Sequence, residues 1–483
     1  MCDVLLLDTS AHVAPPTAPL VEEILLGGKI LRNMAFWART GIKPRPTKVF
    51  TRGLLTIGAA LRKAGFTVDY DACVLDSFGE LPERILRKIK GARVVGVSSI
   101  TPAQPIADRI YRIIARENPT AMIVAGGYHP TAMPQEVLAA NPDLDLIVRG
   151  EGEATMVELL QKNCVPEGIR GVVYRTKEGE AQVEPPRPRL CPEEFPPADY
   201  SLLPGDLSDY DFNVSSMRGC SYRCSFCSNW SFWGKPRYHP IEMVINELRY
   251  LDRHLPAGTL VHFTDNVFSE DWSRTMELCK RIQAERVGLL FSADIRAGTV
   301  DAVLLKEMEA AGFRHVAIGF EDDDATILDR VKKDVKSESN RETACLIRSC
   351  TNMAITAYWM VGLPGTAIES VYRNLFAAKQ LIKEDIVDIV SARIFVPYPG
   401  TAIFHRPDRF GVEIVDTAWE RYDRVTSLPI YRMEQVGRYE LYAHYLALRA
   451  SLNEAYRSKL GIPSDRLEAA IRRARDMGEW AYS

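Results

Sequence analysis

Along the first 177 residues, short apolar runs alternate with stretches whose apolar residues recur every three or four positions. Val4–Leu7 reads as a first strand. After a long connection, Leu54, Ile57 and Leu61 share one face of a helix near Arg52–Ala64. Strands follow near Thr67–Tyr70 and Val94–Val97, then a helix carrying Ile106, Ile110, Ile113 and Ile114. Met122–Ala125 runs into Gly126-Gly127, and Leu146–Val148 runs into Arg149-Gly150-Glu151-Gly152-Glu153. Strands alternating with helices predict a parallel α/β sheet with any ligand at the carboxyl ends of its strands. Residues 1–184 are expected to form a Rossmann-like domain. Seven prolines between Pro185 and Pro204 then exclude a helix or a central strand, so 185–210 reads as a linker.

The alternation resumes over 211–401. Asn213–Met217 reads as a strand, and Ile241, Val244, Ile245, Leu248 and Leu251 mark an amphipathic helix. Leu260–Phe263 ends in Thr264-Asp265-Asn266, and a helix passes through Met276 and Leu278. Val287–Phe291 ends in Ser292-Ala293-Asp294-Ile295-Arg296, and His315–Phe320 ends in Glu321. Ile355–Val361 ends in Gly362-Leu363-Pro364-Gly365, and Val387–Val396 ends in Pro397-Tyr398-Pro399-Gly400-Thr401. These six strand–helix units gather polar residues at strand ends, where α/β domains bind ligands. From Ala402 to Ser483 helical patterns carry Tyr422, Tyr431, Tyr439, Tyr442, Tyr445 and Tyr456, and this region is expected to be a helical cover over the mouth of the preceding domain.

The 483 residues are 46% hydrophobic and 25% charged, as in a soluble protein of two or three domains. The net charge of −3 points to no nucleic-acid partner and no anionic membrane surface. No run approaches the ~20 apolar residues that cross a bilayer. Acids flank the apolar residues of Met1-Cys2-Asp3-Val4-Leu5-Leu6-Leu7-Asp8, unlike a secretory signal, so a cytoplasmic location is expected.

Of ten cysteines, seven are scattered and three lie together in Met217-Arg218-Gly219-Cys220-Ser221-Tyr222-Arg223-Cys224-Ser225-Phe226-Cys227. The spacing C-x3-C-x2-C brings three thiolates from one loop within reach of one iron–sulfur cube, leaving a fourth iron without a local ligand. A structural zinc site would use a second spaced pair. None follows, because Cys345 and Cys350 fall on a helical stretch with a different spacing.

This cysteine loop, after a strand and before a helix, resembles the radical SAM (S-adenosylmethionine) superfamily. The GLPG and PYPGT segments resemble the subset with a cobalamin-binding-like N-terminal domain. The resemblance implies an α/β architecture of Rossmann-like cobalamin-binding-like domain, partial (β/α)6 radical SAM barrel and helical C-terminal region. It implies Cys220, Cys224 and Cys227 as ligands of a 4Fe–4S cluster whose open iron chelates SAM, with Phe226 beside the adenine. Arg296 is expected at the SAM carboxylate or ribose, since a guanidinium suits a carboxylate. Glu321 is expected at SAM, and Glu321 and Asp322 are candidate catalytic residues. Where many members of the superfamily carry Gly-Gly-Glu, this chain has Thr264-Asp265-Asn266, with Asp265 in place to take the SAM amino group. A reducing partner such as flavodoxin or ferredoxin is implied. Cobalamin is left open, because no D-x-H-x-x-G loop is present and relatives that lack the loop still bind it.

Other residues carry two readings. Asp322-Asp323-Asp324 can meet a cationic substrate, or Asp324 can cap the next helix. Trp230 and Trp233 can line a pocket or pack. His239, His262 and His315 read as structural, and one tyrosine of the C-terminal region can supply a hydrogen atom or a proton. By the resemblance, reductive cleavage of SAM yields a 5′-deoxyadenosyl radical that takes hydrogen from a small polar natural product. The reading placed first is a lyase of antibiotic biosynthesis, a dehydratase that deoxygenates a cationic aminosugar like the diol dehydratase of the apramycin pathway. The alternatives are a cobalamin-dependent methyltransferase and a non-catalytic iron–sulfur or zinc module.

Overall fold

The computed structural model describes residues 2–9, 19–43, 47–73, 75 and 79–476. Its two compact units are interleaved along the chain rather than consecutive. The first comprises Met1–Val13, Pro46–Val214 and Ser228–Leu255, and the second Ala14–Arg45, Ser215–Cys227 and Pro256–Ser483. The expected boundaries at 184 and 210 therefore do not separate the units.

In the first unit seven strands form one sheet: β1 (Cys2–Asp8), β2 (Val68–Ala72), β3 (Ala92–Ser98), β4 (Met122–Gly126), β5 (Leu146–Val148), β6 (Val172–Arg175) and β7 (Ala181–Val183). Their spatial order is β2-β1-β3-β4-β5-β6-β7. The first five run parallel, and β6 and β7 form an antiparallel hairpin at the edge. Leu5, Leu7, Val95, Val97, Ile123 and Ile147 pack with Ile85, Ile89, Ile110 and Ile114 of the covering helices in one core. Because β1 lies between β2 and β3, the winding direction reverses there, and the carboxyl ends of β1, β3 and β4 border the crevice where such sheets take ligands.

The proline-rich stretch is an ordered strap of this unit. Tyr200 is buried, packs edge-on against Phe50 and Phe212, and stacks on Tyr250. Its hydroxyl donates to Glu247 Oε1 at 2.5 Å, and Arg52 Nη2 donates to Glu247 Oε2 at 2.8 Å. This buried ion pair fastens helix Ile241–His254 to helix Arg52–Lys63, which is why 228–255 joins the first unit although its sequence continues the second. Glu247→Ala leaves Arg52 buried and unpaired, so we expect a loss of about 3–5 kcal/mol in chemical denaturation, much of it recovered by Arg52→Met/Glu247→Leu.

In the second unit five parallel strands lie in the order Ile389–Ile394, Ala354–Val361, Phe313–Glu321, Leu290–Ile295, Leu260–Phe263. Helices Trp272–Glu285, Ala302–Ala310, Ser337–Cys350 and Ile368–Lys383 connect them, giving an incomplete barrel as the repeated strand–helix pattern predicts. Phe263, Phe268, Phe291 and Phe313 cluster with ring centroids 4.8–5.6 Å apart. Leu290–Ile295 starts later than its apolar run suggests and includes Ser292 and Asp294, whose alternation with buried Phe291, Ala293 and Ile295 is that of a strand with one polar face.

Helix Pro19–Thr40, which follows β1 in the chain, packs on strands Ala354–Val361 and Ile389–Ile394 and on helix Arg438–Leu460. Gly27-Gly28 in its middle costs about 1 kcal/mol per residue relative to alanine. Close approach explains both glycines. A Cβ on Gly27 would lie 3.2 Å from Ile471 Cδ1, and one on Gly28 would lie 2.8 Å from Asn453 Oδ1. The C-terminal region is not wholly helical: Val412–Ile414 and Tyr431–Met433 pair antiparallel, and the Tyr431 hydroxyl donates to Gly362 O at 2.6 Å.

Candidate active site

The cysteine loop is held by the segment that follows strand Leu260–Phe263. Asp265 is buried and accepts four hydrogen bonds: at Oδ1 from Ser216 N (2.7 Å), Met217 N (3.0 Å) and Ser215 Oγ (3.0 Å), and at Oδ2 from Ser216 Oγ (2.6 Å). Burial raises its pKa and these donors oppose the rise. Three of these bonds fall on Oδ1 and one on Oδ2, so the buried carboxylate is chiefly occupied in fixing its own chain. Asn266 Nδ2 donates to Gly219 O at 2.7 Å, and Glu270 Oε1 accepts from Ser221 N at 2.9 Å. One short stretch thereby fixes residues 215–221.

Within the loop, Cys227 N donates to Cys224 O at 3.0 Å, a turn that sets those residues close. Cys220 is buried, and Cys224 and Cys227 are partly exposed. Burial pushes the Cys220 thiol up to about 11, with Cys224 adding to the rise and Arg296 opposing it, so these three side chains lie within electrostatic reach. The Arg296 guanidinium lies 3.6 Å from the Tyr222 ring centre, and its buried Nη2 has no partner. Phe226 lies with its ring 6.0 Å from Lys333 Nζ.

Glu321 and Asp322 part company. Glu321 sits at a positive φ of 63° where the register shifts, and its Oε1 accepts from Lys333 Nζ at 2.6 Å. Gly319 makes room, since a Cβ there would come 2.4 Å from Glu321 Oε1. Asp322 turns instead to helix Ile368–Lys383. Its Oδ1 accepts from Asn374 Nδ2 and Asp324 N, both at 2.8 Å, and burial pushes it up to about 7. Asp324 caps helix Ala325–Arg330 through Thr326 N and pairs with Arg373. Asp322 and Asp324 are therefore fastened to their own chain, while Asp323 between them is exposed.

The polar face of the strands holds groups the sequence reading passed over. Ser292 and His262 face each other at 2.9 Å, and His315 Nε2 meets Thr356 Oγ1 at 2.8 Å. Burial pushes His315 down to about 4, which keeps it neutral as a structural residue. Nearer the carboxyl ends, the Tyr358 hydroxyl donates to Asp294 Oδ1 at 3.2 Å while its ring is 38% exposed. Burial pushes Asp294 up to about 7, and Glu321 adds to the rise. Polar residues alternating inside an apolar strand were the available signal.

In the first unit, Gly127 takes φ 100° beside Ser99, where a Cβ would meet Ser99 O at 2.5 Å. Gly150, at φ 71°, has open space around its Cβ position. The carboxyl edge of β4 and β5 thus carries glycines at two turns, one packed on the Ser99 backbone and one with open space beside it. Tyr128 stacks on Phe232 at 4.4 Å and accepts from Trp233 Nε1 at 2.7 Å. The aromatic segment Asn229–Trp233 therefore packs on this edge. His239 packs on Phe195 at 4.7 Å.

Two outcomes follow. Asp265→Ala leaves two buried backbone N–H groups without their acceptor, so we expect a loss of about 3 kcal/mol, read by denaturation. For Asp294 the folded pKa near 7 exceeds the unfolded value of about 4. Its contribution to stability is fully present below about pH 4 and lost as pH rises through about 7. Asp294→Asn is therefore expected to gain on the parent protein from pH 5 to pH 8 in melting temperature, and an unchanging gap would contradict the burial.

Residues 39–160 match the model of the B12 binding domain, and residues 214–375 match that of the radical SAM superfamily. The chain is 30% identical over 358 residues to an uncharacterized methyltransferase of Pyrococcus horikoshii, covering 71% of this chain and 76% of that one. It is 28% identical to the anaerobic magnesium-protoporphyrin IX monomethyl ester cyclase of Rubrivivax gelatinosus, covering 72% of this chain and 63% of the cyclase. In fold it is similar to the radical SAM methyltransferase TsrM of Kitasatospora setae, solved with cobalamin and a 4Fe–4S cluster, at a TM-score of 0.65, 16% identity and coverage of 93% and 89%. Among the described residues no helix is long and apolar enough to cross a membrane. The two matched domains give the chain its cofactors, a 4Fe–4S cluster with SAM and a cobalamin. The chain is an enzyme of the radical SAM superfamily and belongs to its branch with an N-terminal B12-binding domain.

Proposed function

We propose that the enzyme is a cobalamin-dependent methyltransferase that places a methyl group derived from SAM on a carbon of a small-molecule substrate. The observation that carries this reading is the union in one chain of a B12-binding sheet with glycines at two edge turns and a radical SAM domain. A relative named as a methyltransferase supports it. The dehydration of an aminosugar, placed first from the sequence, has no such support, and two acids of the run that suggested it, Asp322 and Asp324, are tied to Asn374, Thr326 and Arg373.

The residues present fit the group. Cys220, Cys224 and Cys227 would hold the 4Fe–4S cluster, and the unpartnered Nη2 of buried Arg296 suits the SAM carboxylate. Phe226 would pack beside the adenine. Glu321 keeps Oε2 for the nucleoside while Oε1 holds Lys333. Bound together, the cofactors supply a carbon-centred radical and a transferable methyl group. The protein's task is to orient and to exclude water. Asp265 fixes the loop, Arg296 orients the carboxylate from its seat on Tyr222, and Asp294, whose Oδ1 accepts from the Tyr358 hydroxyl, can hold a proton at Oδ2.

Anaerobic reconstitution with iron, sulfide and hydroxocobalamin is expected to leave about four irons and one cobalt per chain after desalting. Cys220→Ala, Cys224→Ala and Cys227→Ala are expected to lose the iron, whereas Cys279→Ala, in a buried helix position, and Cys191→Ala, at the surface, keep it. With a reductant, SAM labelled in its methyl group and a small-molecule extract of the source cells, a product should gain the labelled methyl. A product lighter by water, without label, would return the reading to dehydration, and iron without cobalt would remove cobalamin from it.

A further inference from the structure

The second unit holds three arginines with no acid paired to them among the described residues, Arg449 buried and Arg32 and Arg393 partly buried. Arg32 lies on helix Pro19–Thr40, Arg393 on strand Ile389–Ile394 and Arg449 on helix Arg438–Leu460. Arg449 is 2% exposed. Its Nη1 donates to Ala392 O at 3.0 Å, but its Nε and Nη2 are buried with no partner. The hydroxyl of Tyr445, one turn earlier on the same helix and fully buried, also lacks a partner.

These groups face one space. A Cβ placed on Gly28 would lie 3.1 Å from Arg32 Nη1, 3.4 Å from Arg449 Nη2 and 2.8 Å from Asn453 Oδ1. Gly28 thus keeps clear the point on which two guanidinium groups converge, at the helix-propensity cost noted above. Burial first, then the charges of Arg449 and Arg393, bring Arg32 down to about 9. Burial likewise lowers Arg393, with Arg424 and Arg449 adding to the effect and Asp423 opposing it. Among the described residues no carboxylate comes within ion-pair distance of Arg32, Arg393 or Arg449. The Asp388 carboxylate on the neighbouring turn is already held by Arg39 and Arg348.

Buried cations normally have anionic partners, because desolvation and mutual repulsion otherwise oppose folding. We propose that Arg32, Arg393 and Arg449, with Tyr445 and Asn453, form a subsite for the carboxylate or phosphate group of the substrate. Arg393 connects this subsite to the polar face of the strands. It pairs with Met360 in the ladder, two positions beyond the pairing of Tyr358 with Ser391, so its side chain shares a face with Tyr358. Burial raises the pKa of Tyr358, and the charge of Arg393 opposes that rise. The substrate class follows: an anion, not a cationic sugar, held by the guanidinium groups with its reacting carbon towards Tyr358 and Asp294. This inference rests on the reading of the second unit as a small-molecule enzyme, and it concerns binding alone.

The test is equilibrium binding of inorganic phosphate and of succinate to the reconstituted holoenzyme, at constant ionic strength in chloride, with thermal melts alongside. Saturable binding of one anion per chain is expected, with a higher melting temperature in its presence. Arg32→Met and Arg393→Met should each weaken that binding at least ten-fold and abolish the anion-induced shift. Tighter binding of phosphate than of succinate assigns a phosphate group, and the reverse assigns a carboxylate. In low-salt chloride Arg32→Met should melt no lower than the parent, because it relieves repulsion; a structural arginine would instead lower the melt. Should Arg32→Met fail to melt cooperatively, Arg32→Lys must bind the anion more weakly at unchanged iron content. No saturable binding to the parent protein, or parent-like binding by the variants, overturns the subsite. Either result leaves the methyl-transfer reading to the cobalt count and the methyl label.

Discussion

One buried carboxylate decides whether the reactive loop has a shape. Asp265 gathers Ser215, Ser216 and Met217 through two backbone N–H groups and two hydroxyls, immediately before the three cysteines. A loop that must present three thiolates to one cluster cannot rely on its own hydrogen bonds, because strands and helices already use most of the backbone donors around it. Asp265 supplies the missing acceptors from the end of a strand that is itself locked in a parallel ladder. Asn266 and Glu270 continue the grip to Gly219 and Ser221. The strand-end residues Asp265 and Asn266 are therefore occupied in holding the loop.

Charge is distributed unevenly about this framework. Four acids near the site are tied or neutralised, Glu321 by Lys333, Asp322 by Asn374, Asp324 by Arg373 and Asp294 by its own raised pKa, which leaves Asp323 exposed. The arginines behind the last strand are the opposite case, held together without acids around the space at Gly28. A buried charge is tolerable when a ligand completes it, and costly otherwise. The two halves of the picture agree, since a site with muted acids and unmatched arginines selects an anionic substrate. A small net charge over the whole chain conceals this local excess.

Much of this architecture was legible because apolar periodicity is a local property. The five parallel strands of the first unit, the strand–helix units of the second and the cysteine spacing all stand in the sequence. What was not legible depends on where distant segments meet. The stretch 185–204 reads as a linker by its prolines, yet Tyr200 lies in the core because Glu247, 47 residues on, accepts its hydrogen bond. Asp265 and Asp294 look alike as strand-end acids. Only the fold shows one surrounded by donors and the other by little except Tyr358. Arg32 and Arg449 are 417 positions apart in sequence, and no pattern on either helix announces that they face the same glycine.

That distance also bears on how the chain is built. Helix Pro19–Thr40 follows the first strand of one unit but belongs to the other, and the chain returns to complete the first unit afterwards. Neither unit is a continuous piece of sequence, and the second draws on segments from Ala14 to Ser483. A fragment cut at the proline-rich stretch would keep all five strands of the second unit and lose the helix that packs on two of them and on Arg438–Leu460. It would expose the residues opposite Leu25, Leu26 and Leu31, which are buried in the intact chain. It would also lose Arg32. The same connection that packs on strands Ala354–Val361 and Ile389–Ile394 thus delivers one of the three arginines of the proposed subsite, so packing and the proposed anion recognition rest on a single helix.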